Sequence, residues 1–547
     1  MAAFIDTMST KKLVAFGLLL LALQIVFFVI GGTIAPSPSN VASILSTKCI
    51  DNDKGKIDRW FYPRGSDKNK TCKVLHDLNS PDAERYSANN IVFAAQFPLP
   101  RDGFNLTMSR WFQYSLGVLH PEISYQDNGE EDFKTELEIH ARIGYRNRED
   151  PEDAWKEIDR SVETRQLDCN IEEKHQDYLY NCSPMALYEL GGVHHDFYLL
   201  NLRLPVTYSS DGTPIGKNVN LGKLLDLWII EIHQNGGYTR VFWSVKTVFF
   251  PLVLAGVVWF WHRIQQLARP PKLMEKMLFT LGLGLLLLDT PIEWFSLGFN
   301  FPAMLLLSDI RQGLFYTILF AFWIIFAGEY QMDDVARGTL STYWKHLSAV
   351  AACCISLFVF DMCERGVQLT NVFYSIWSTT TGSILAKGFL ITAMCCACIY
   401  FFFLTYMVII AVRNMWDKRK KLDKFQEKTR KRYQVIIFRF QFLLLMTLLC
   451  AAFTIIAFII AQVGESSIKW GDEDRAGLEY TSAVNVGVFA MWNLYVTALL
   501  VLYSPSSKHE SLINDEQSED VAMSRLDLHA TTTTSEVTEF LQKVAED

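Results

Sequence analysis

Ionisable side chains stand inside apolar runs at a few places in this 547-residue chain. A charge at membrane depth is costly unless it is paired or used, so chemistry or binding is sought there first. Asp289 and Glu293, in LLLLDTPIEWFS, are four apart and so fall on one helical face, with Pro291 between them to free backbone carbonyls. Asp361 and Arg365, in FVFDMCERG, repeat that spacing with Glu364 beside them, and Asp309 and Arg311 lie in DIRQG at the start of another apolar run. Lys246 and Lys387 fall near span ends, where their stems can snorkel to water. The set suits a polar lining for a cavity, and it suits equally a rim of ion pairs that hold helices together. Catalysis is poorly served. No histidine sits at mid-depth, as a membrane acyltransferase would need, and there is no Gly-x-Gly-Asp, His-Glu-x-x-His, Gly-x-Ser-x-Gly or Walker phosphate loop. An enzyme is therefore not expected, nor a metal or cofactor.

The elements that must position these residues are read from composition. Half of the chain (50%) is hydrophobic and 20% is charged, and the run from Leu13 to Ile34 holds 22 residues without a charge, enough to cross a bilayer core. A water-soluble fold is excluded, and a net charge of −8 gives nucleic acid binding no support. Seven further spans are expected at about 242–261, 277–299, 312–328, 347–365, 387–412, 440–463 and 483–503. The domains then run 1–12 (cytosolic N terminus), 13–34 (first span), 35–241 (hydrophilic domain), 242–503 (seven-helix bundle) and 504–547 (a disordered acidic tail). Lys11 and Lys12, the basic residues around Arg263 to Lys276, and ten basic residues between Arg413 and Arg432 place those loops and both termini in the cytosol. The hydrophilic domain then faces the lumen.

That domain has 23 Lys and Arg against 31 Asp and Glu, and a dominant period of two. In FKTELEIHARIGYR, Leu137, Ile139, Ala141, Ile143 and Tyr145 alternate with polar residues, which reads as a strand with one buried face. Similar runs at 91–97, 197–206, 224–232 and 239–243 predict an antiparallel β-sandwich, with one helical stretch at about Pro151 to Val162. Four polar-domain cysteines suggest two disulfides in an oxidising compartment, paired by proximity alone as Cys49 with Cys72 and Cys169 with Cys182. Glycosylation sequons fall at Asn69, Asn105 and Asn181. The adjacent His194 and His195 offer a pH-sensitive grip, or serve simply as polar strand residues. On the cytosolic side, Tyr433 with Ile436 three residues on has the form read by clathrin adaptors, and the basic run before it can touch anionic membrane lipids.

MSTKKL (8–13), FYLLNLRLPV (197–206), IHQNGGYTRVFW (232–243), PIEWFSLGF (291–299), SDIRQGLFY (308–316), FWIIFAGE (322–329), FDMCERGVQLTNVFYSIW (360–377), FRFQFLLL (438–445) and MWNLYV (491–496) resemble the Wntless family of Wnt cargo receptors. The resemblance runs to about Pro505. It implies a polytopic α-helical membrane protein of eight spans, one N-terminal helix plus a bundle similar to that of G-protein-coupled receptors, beneath a luminal GOLD-like antiparallel β-sandwich. It implies the task too: binding palmitoleoylated Wnt proteins, carrying them from the endoplasmic reticulum through the Golgi to the plasma membrane, and returning through endosomes by clathrin adaptor and retromer. Exposing a C16 chain to water costs on the order of 10 kcal/mol, at about 0.8 kcal/mol per CH₂. Such a carrier needs an apolar cavity with a polar mouth. Asp309, Arg311, Asp361, Glu364 and Arg365 are the expected mouth, and Phe358, Phe360, Phe373, Tyr374 and Trp377 the expected wall. A signalling receptor lacks its Asp-Arg-Tyr and Asn-Pro-x-x-Tyr motifs here, and a proton-coupled transporter would work through Asp289 and Glu293.

Overall fold

The computed structural model describes residues 4, 8–51, 73–81, 83–100, 106–126, 132–171, 175, 177–221, 223–267, 269–331, 340–421, 441–442, 444–454, 456 and 475–505. Among the described residues eight helices of the membrane part are α1 (Thr10–Thr33), α2 (Gly236–Gln265), α3 (Leu273–Asp289), α4 (Met304–Gln331), α5 (Leu340–Gln368), α6 (Thr380–Lys421), α7 (Leu444–Thr454) and α8 (Arg475–Leu502). Among the described residues seven of them, all but α7, are long and apolar enough to span a membrane. The short α7 occupies the place of the span expected at 440–463, most of whose remainder lies outside the described residues.

The strands of the sandwich are β1 (Ser39–Leu45), β2 (Thr47–Ile50), β3 (Lys73–Val74), β4 (Ile91–Phe97), β5 (Ser115–Ser124), β6 (Asp132–Arg146), β7 (Lys156–Asn170), β8 (Asn181–Cys182), β9 (Met185–Leu190), β10 (Phe197–Arg203), β11 (Thr207–Tyr208), β12 (Pro214–Ile215) and β13 (Lys223–Gln234). Among the described residues they form a four-stranded sheet ordered β1-β13-β5-β9, a seven-stranded sheet ordered β3-β2-β4-β10-β6-β7-β8 and a small β11-β12 ribbon. The expected alternation holds in β6, where Leu137, Ile139, Ala141 and Ile143 are buried against Leu119, Ile123, Leu227 and Ile229 of the facing sheet. Cys169 bonds Cys182 and ties β7 to the edge strand β8 (Asn181–Cys182). Cys49 is also disulfide-bonded, while Cys72 lies outside the described residues.

Two local expectations fail. The stretch from Pro151 to Val162 is not helical, because β6 needs a partner along its length and 156–170 supplies it from Tyr145↔Lys156 to Asp132↔Asn170, with one register shift between Ile143 and Gly144. Cross-strand pairing overrides the spacing of Trp155 and Ile158. The run TRVFW at 239–243 is not a strand either. Asn235 accepts a hydrogen bond from the Gly237 N–H at 2.8 Å and so caps α2, which starts at Gly236. The apolar run beyond it continues into the membrane as one helix.

Strand β13 leads into α2 with no linker longer than that cap, and α1 leads into β1 through Pro36, whose carbonyl accepts from Ser482 Oγ of α8 at 2.5 Å. The helices pack in a chain: α1 on α8, α8 on α2 and α3, α3 on α2 and α4, α4 on α5 and α6, and α5 on α6. The Phe4 N–H donates to the Ser504 carbonyl at 2.8 Å, so the two ends of the membrane part meet at the pole away from the sandwich. Close helix approach is achieved at Gly31, where an added Cβ would come within 2.8 Å of the Ala483 Cα and 2.9 Å of the Ser482 carbonyl. Gly31→Val is therefore expected to push α1 off α8 at a cost of about 1–3 kcal/mol. The check is a lower melting temperature of the purified protein in detergent, with Gly256→Val, where no atom lies within 4 Å, as the control that should melt like the native chain.

Candidate functional site

The structure divides the charged residues singled out above into two groups. The first is a buried knot. Helix α3 stops at Asp289 because Pro291 has no N–H to give and forces the residue before it out of the helical region, with Thr290 at φ −54° and ψ 117°. Asp289 and Glu293 therefore do not share one helical face, as their spacing suggested. Glu293 sits in a 3₁₀ turn, Ile292–Trp294, and its Oε1 accepts from Lys246 Nζ of α2 at 2.5 Å and from Arg311 Nη2 of α4. Arg311 Nη1 also donates to the Thr290 carbonyl at 2.8 Å and the Leu287 carbonyl at 3.4 Å, and the latter is the acceptor that the proline leaves without a helical donor. Asp289 turns the other way, its Oδ1 accepting from Asn493 Nδ2 of α8 at 3.4 Å. All five of these residues are buried. Lys246 is thus not a snorkelling lysine, and Arg311 is spent inside the knot.

The second group lies where α5 meets the sandwich. Arg365 Nη1 donates to Glu189 of β9 at 2.9 Å, and its Nε lies 3.0 Å from Asp309 of α4. Glu364 Oε2 accepts the Ile376 N–H at 2.6 Å. Asp361 is half-buried and takes no ion pair from Arg365, its neighbour by spacing; among the described residues nothing hydrogen-bonds to it. Phe373 is fully buried within the sandwich core and not within the bundle, whereas Phe358 and Trp377 are exposed and the Phe360 and Trp377 rings lie 6.4 Å apart.

Between these groups α5 and α6 are mostly unburied. Helices α5 and α6 meet α4 in the half away from the sandwich, where Tyr343 and Val350 pack with Ile324 and Ile325, Tyr400 lies 5.3 Å from Phe320, and Phe403 stacks on His346. In the sandwich-side half of α6, Ala386 and Ala393 are buried, while Ile384, Leu385, Leu390, Ile391 and Met394 are exposed. At about 100° per residue the exposed positions cover an arc of roughly 220°. Ile355, Leu357, Phe358, Met362 and Val367 of α5 are likewise exposed, and they point in nearly every direction around the helix. In these halves the two helices leave more apolar surface exposed than the bundle covers. On α4, Gln312 and Leu314 are exposed on nearly opposite sides of the helix, and Tyr316, Phe320, Trp492 and Tyr400 form an aromatic cluster beyond them.

His194 and His195 are in the turn between β9 and β10, not in a strand. His195 stacks on Tyr145 with ring centroids 3.6 Å apart, and burial, with help from His194 and Arg110, pushes its pKa down to about 4. Burial thus favours the neutral ring of His195, packed in the turn against Tyr145. Asn181 is exposed on the edge strand β8, while Asn69, Asn105, Tyr433 and Ile436 lie outside the described residues. Among the described residues no three His, Cys, Asp or Glu gather as metal ligands. Sequence reasoning missed Asn493, Glu189, Asp159 and Arg165. Only Asn493 carried a signal, as an amide inside the apolar run MWNLYV.

Comparison with known proteins follows the same division. Residues 47–234 match the family described as "Wntless, GOLD domain", and residues 235–507 match "Wntless-like, transmembrane domain". The protein wntless homolog of Mus musculus is 41% identical over 541 residues, covering 98% of this chain and 96% of its own length. That of Gallus gallus is 42% identical with the same coverage, and protein wntless of Drosophila grimshawi is 41% identical over 99% of both chains.

Glu293→Ala leaves Lys246 and Arg311 as buried charges without their shared partner and is expected to cost about 3–5 kcal/mol. Thermal unfolding in detergent measures it, and a loss well under 1 kcal/mol would show that the knot is not buried as described. For His195 the fold favours the neutral ring, so the unfolded chain binds the extra proton between pH 6.5 and about 4. Stability contributed by this residue is full above pH 6.5 and is lost as pH falls towards 4. Histidine-labelled NMR, with His195→Gln identifying the resonance, should show no titration of this ring from pH 7.4 to about 5.5, well above the midpoint near 4.

Proposed function

This chain belongs to the Wntless family, and we propose that it carries lipid-modified Wnt proteins through the secretory pathway, holding the acyl chain in the cleft between α4 and the α5–α6 hairpin. The observation that carries the reading is the apolar surface exposed on opposite sides of α5 and α6 in their sandwich-side halves. A palmitoleoyl chain gains on the order of 10 kcal/mol by leaving water, at about 0.8 kcal/mol per buried CH₂. A cleft open towards both the bilayer and the sandwich lets the chain enter from either. The knot of Lys246, Glu293 and Arg311 fixes α2, α3 and α4 as the unmoving wall, which fits a carrier better than a transporter whose carboxylates must load and unload protons.

The polar mouth of this reading is Asp309, Asp361, Glu364 and Arg365, with Asp361 the group left to meet the peptide that bears the lipid. Phe358, Phe360, Tyr374 and Trp377 line the way in. The sandwich then faces the lumen, with Asn181 open to glycosylation, and the pole where Phe4 meets Ser504 faces the cytosol. Traffic would run from the endoplasmic reticulum through the Golgi to the plasma membrane, with return by clathrin adaptor at Tyr433 and Ile436 and by retromer from endosomes.

Co-purification of a Wnt with this protein is expected to fall at least tenfold when the acylated serine of the Wnt becomes alanine; equal capture of both forms would leave the cleft without a purpose. In the same assay Asp361→Ala should fold and reach the cell surface yet retain several-fold less Wnt. Tyr433→Ala should accumulate at the surface, and undiminished uptake of surface-labelled protein would remove the tyrosine from the recycling route.

A further inference from the structure

We propose that Phe373 is a positioning residue which hooks the α5–α6 hairpin to the sandwich, so that the outer wall of the cleft moves with the sandwich and not with α2, α3 and α4. The inference rests on the cleft reading for its purpose, but its geometry is independent of any cargo. The hairpin and the 371–376 strap that joins its helices form one rigid piece. Glu364 of α5 accepts the Ile376 N–H at 2.6 Å, and Gln368 Nε2 donates to the Tyr374 carbonyl at 3.2 Å. On the α6 side an added Cβ at Gly382 would stand 2.2 Å from the Ile376 carbonyl, so strap and helix start are already in contact.

That piece is built into the sandwich. Phe373 is fully buried in the sandwich core. The Glu189 N–H, on the open edge of β9, donates to the Val372 carbonyl at 2.8 Å. The Val372 N–H donates to Asp159 at 2.9 Å, Asn371 Nδ2 donates to Glu163 at 3.0 Å, and Arg165 donates to the Phe373 carbonyl. Towards α4, by contrast, the sandwich-side end of α5 offers the partly exposed Arg365–Asp309 pair, a kind of contact worth little.

There is also room to move. A cavity of about 380 Å³ lies where the three bodies meet, lined by Glu189, Gly192 and His195 of the sandwich, Pro302 and Leu306 at the start of α4, and Gln368 at the end of α5. Close-packed interiors resist displacement, and a void at a joint is where displacement is cheapest. Whatever loads the sandwich therefore shifts the wall, and by linkage whatever fills the cleft shifts the sandwich.

The test uses the full chain in nanodiscs without Wnt, with spin labels introduced as unnatural amino acids at Gln312 and Leu357 and the distance read by double electron–electron resonance. Phe373→Ala is expected to broaden the distribution and shift it by several ångströms, and Phe373→Leu to restore it. Gly192→Trp, which enters space where the nearest atom to an added Cβ is 4.0 Å away, should narrow it by filling the cavity. An unchanged distribution in Phe373→Ala protein that melts normally overturns the proposal. If that variant unfolds, Gly192→Trp decides, and an unchanged distribution there overturns it equally. A positive result beside failed Wnt capture would sink the cargo reading alone.

Discussion

Taking charge out of water is the constraint on which this architecture turns. Three ionised side chains from α2, the broken end of α3 and α4 meet at Glu293, and each would cost several kcal/mol if it were buried alone. None of the three helices can slide or rotate without exposing an unpaired charge to a medium of low dielectric. Asn493 brings α8 to Asp289 in the same layer, and α1 follows because Gln24 Nε2 donates to the Gly487 carbonyl of α8 at 2.7 Å. Five helices are thereby held as one body. Among the described residues helices α5 and α6 contribute nothing to the knot.

The sandwich is attached to those two bodies by joints of different kinds. To the fixed helices it is joined by chain continuity through α1–β1 and β13–α2, and by an aromatic cluster in which Trp111 lies 5.7 Å from both Trp243 and Trp294, with Arg240 over the Trp111 ring. Arg110 adds a bond to the Leu297 carbonyl at 3.0 Å just beyond the proline break. To the hairpin it is joined by a strap held through one backbone hydrogen bond to the edge of β9, by Asp159, Glu163 and Arg165 of β7 and by the burial of Phe373.

Much of this was legible in the residues. The period-two run of β6, seven of the eight expected spans, the Cys169–Cys182 pair and the free carbonyls around Pro291 all follow from local rules, since each depends on residues near one another in sequence. The misread segments share a reason. TRVFW and the stretch before Val162 have compositions that suit more than one element, and the cap at Asn235 and the waiting edge of β6 settled them. Sequence spacing paired Asp361 with Arg365 and Asp289 with Glu293. The fold gave Arg365 to Asp309 and Glu189, and separated the two carboxylates at the helix break.

By itself the sequence determined which segments are apolar enough to enter a bilayer and which alternate into strands, because those properties add along the chain. It also marked the charged residues at membrane depth as the ones to explain. Which charge meets which, and whether Phe373 faces a bundle or fills a sandwich, were decided only by tertiary structure. Each depends on the distance between residues far apart in sequence, and neither composition nor periodicity carries that distance.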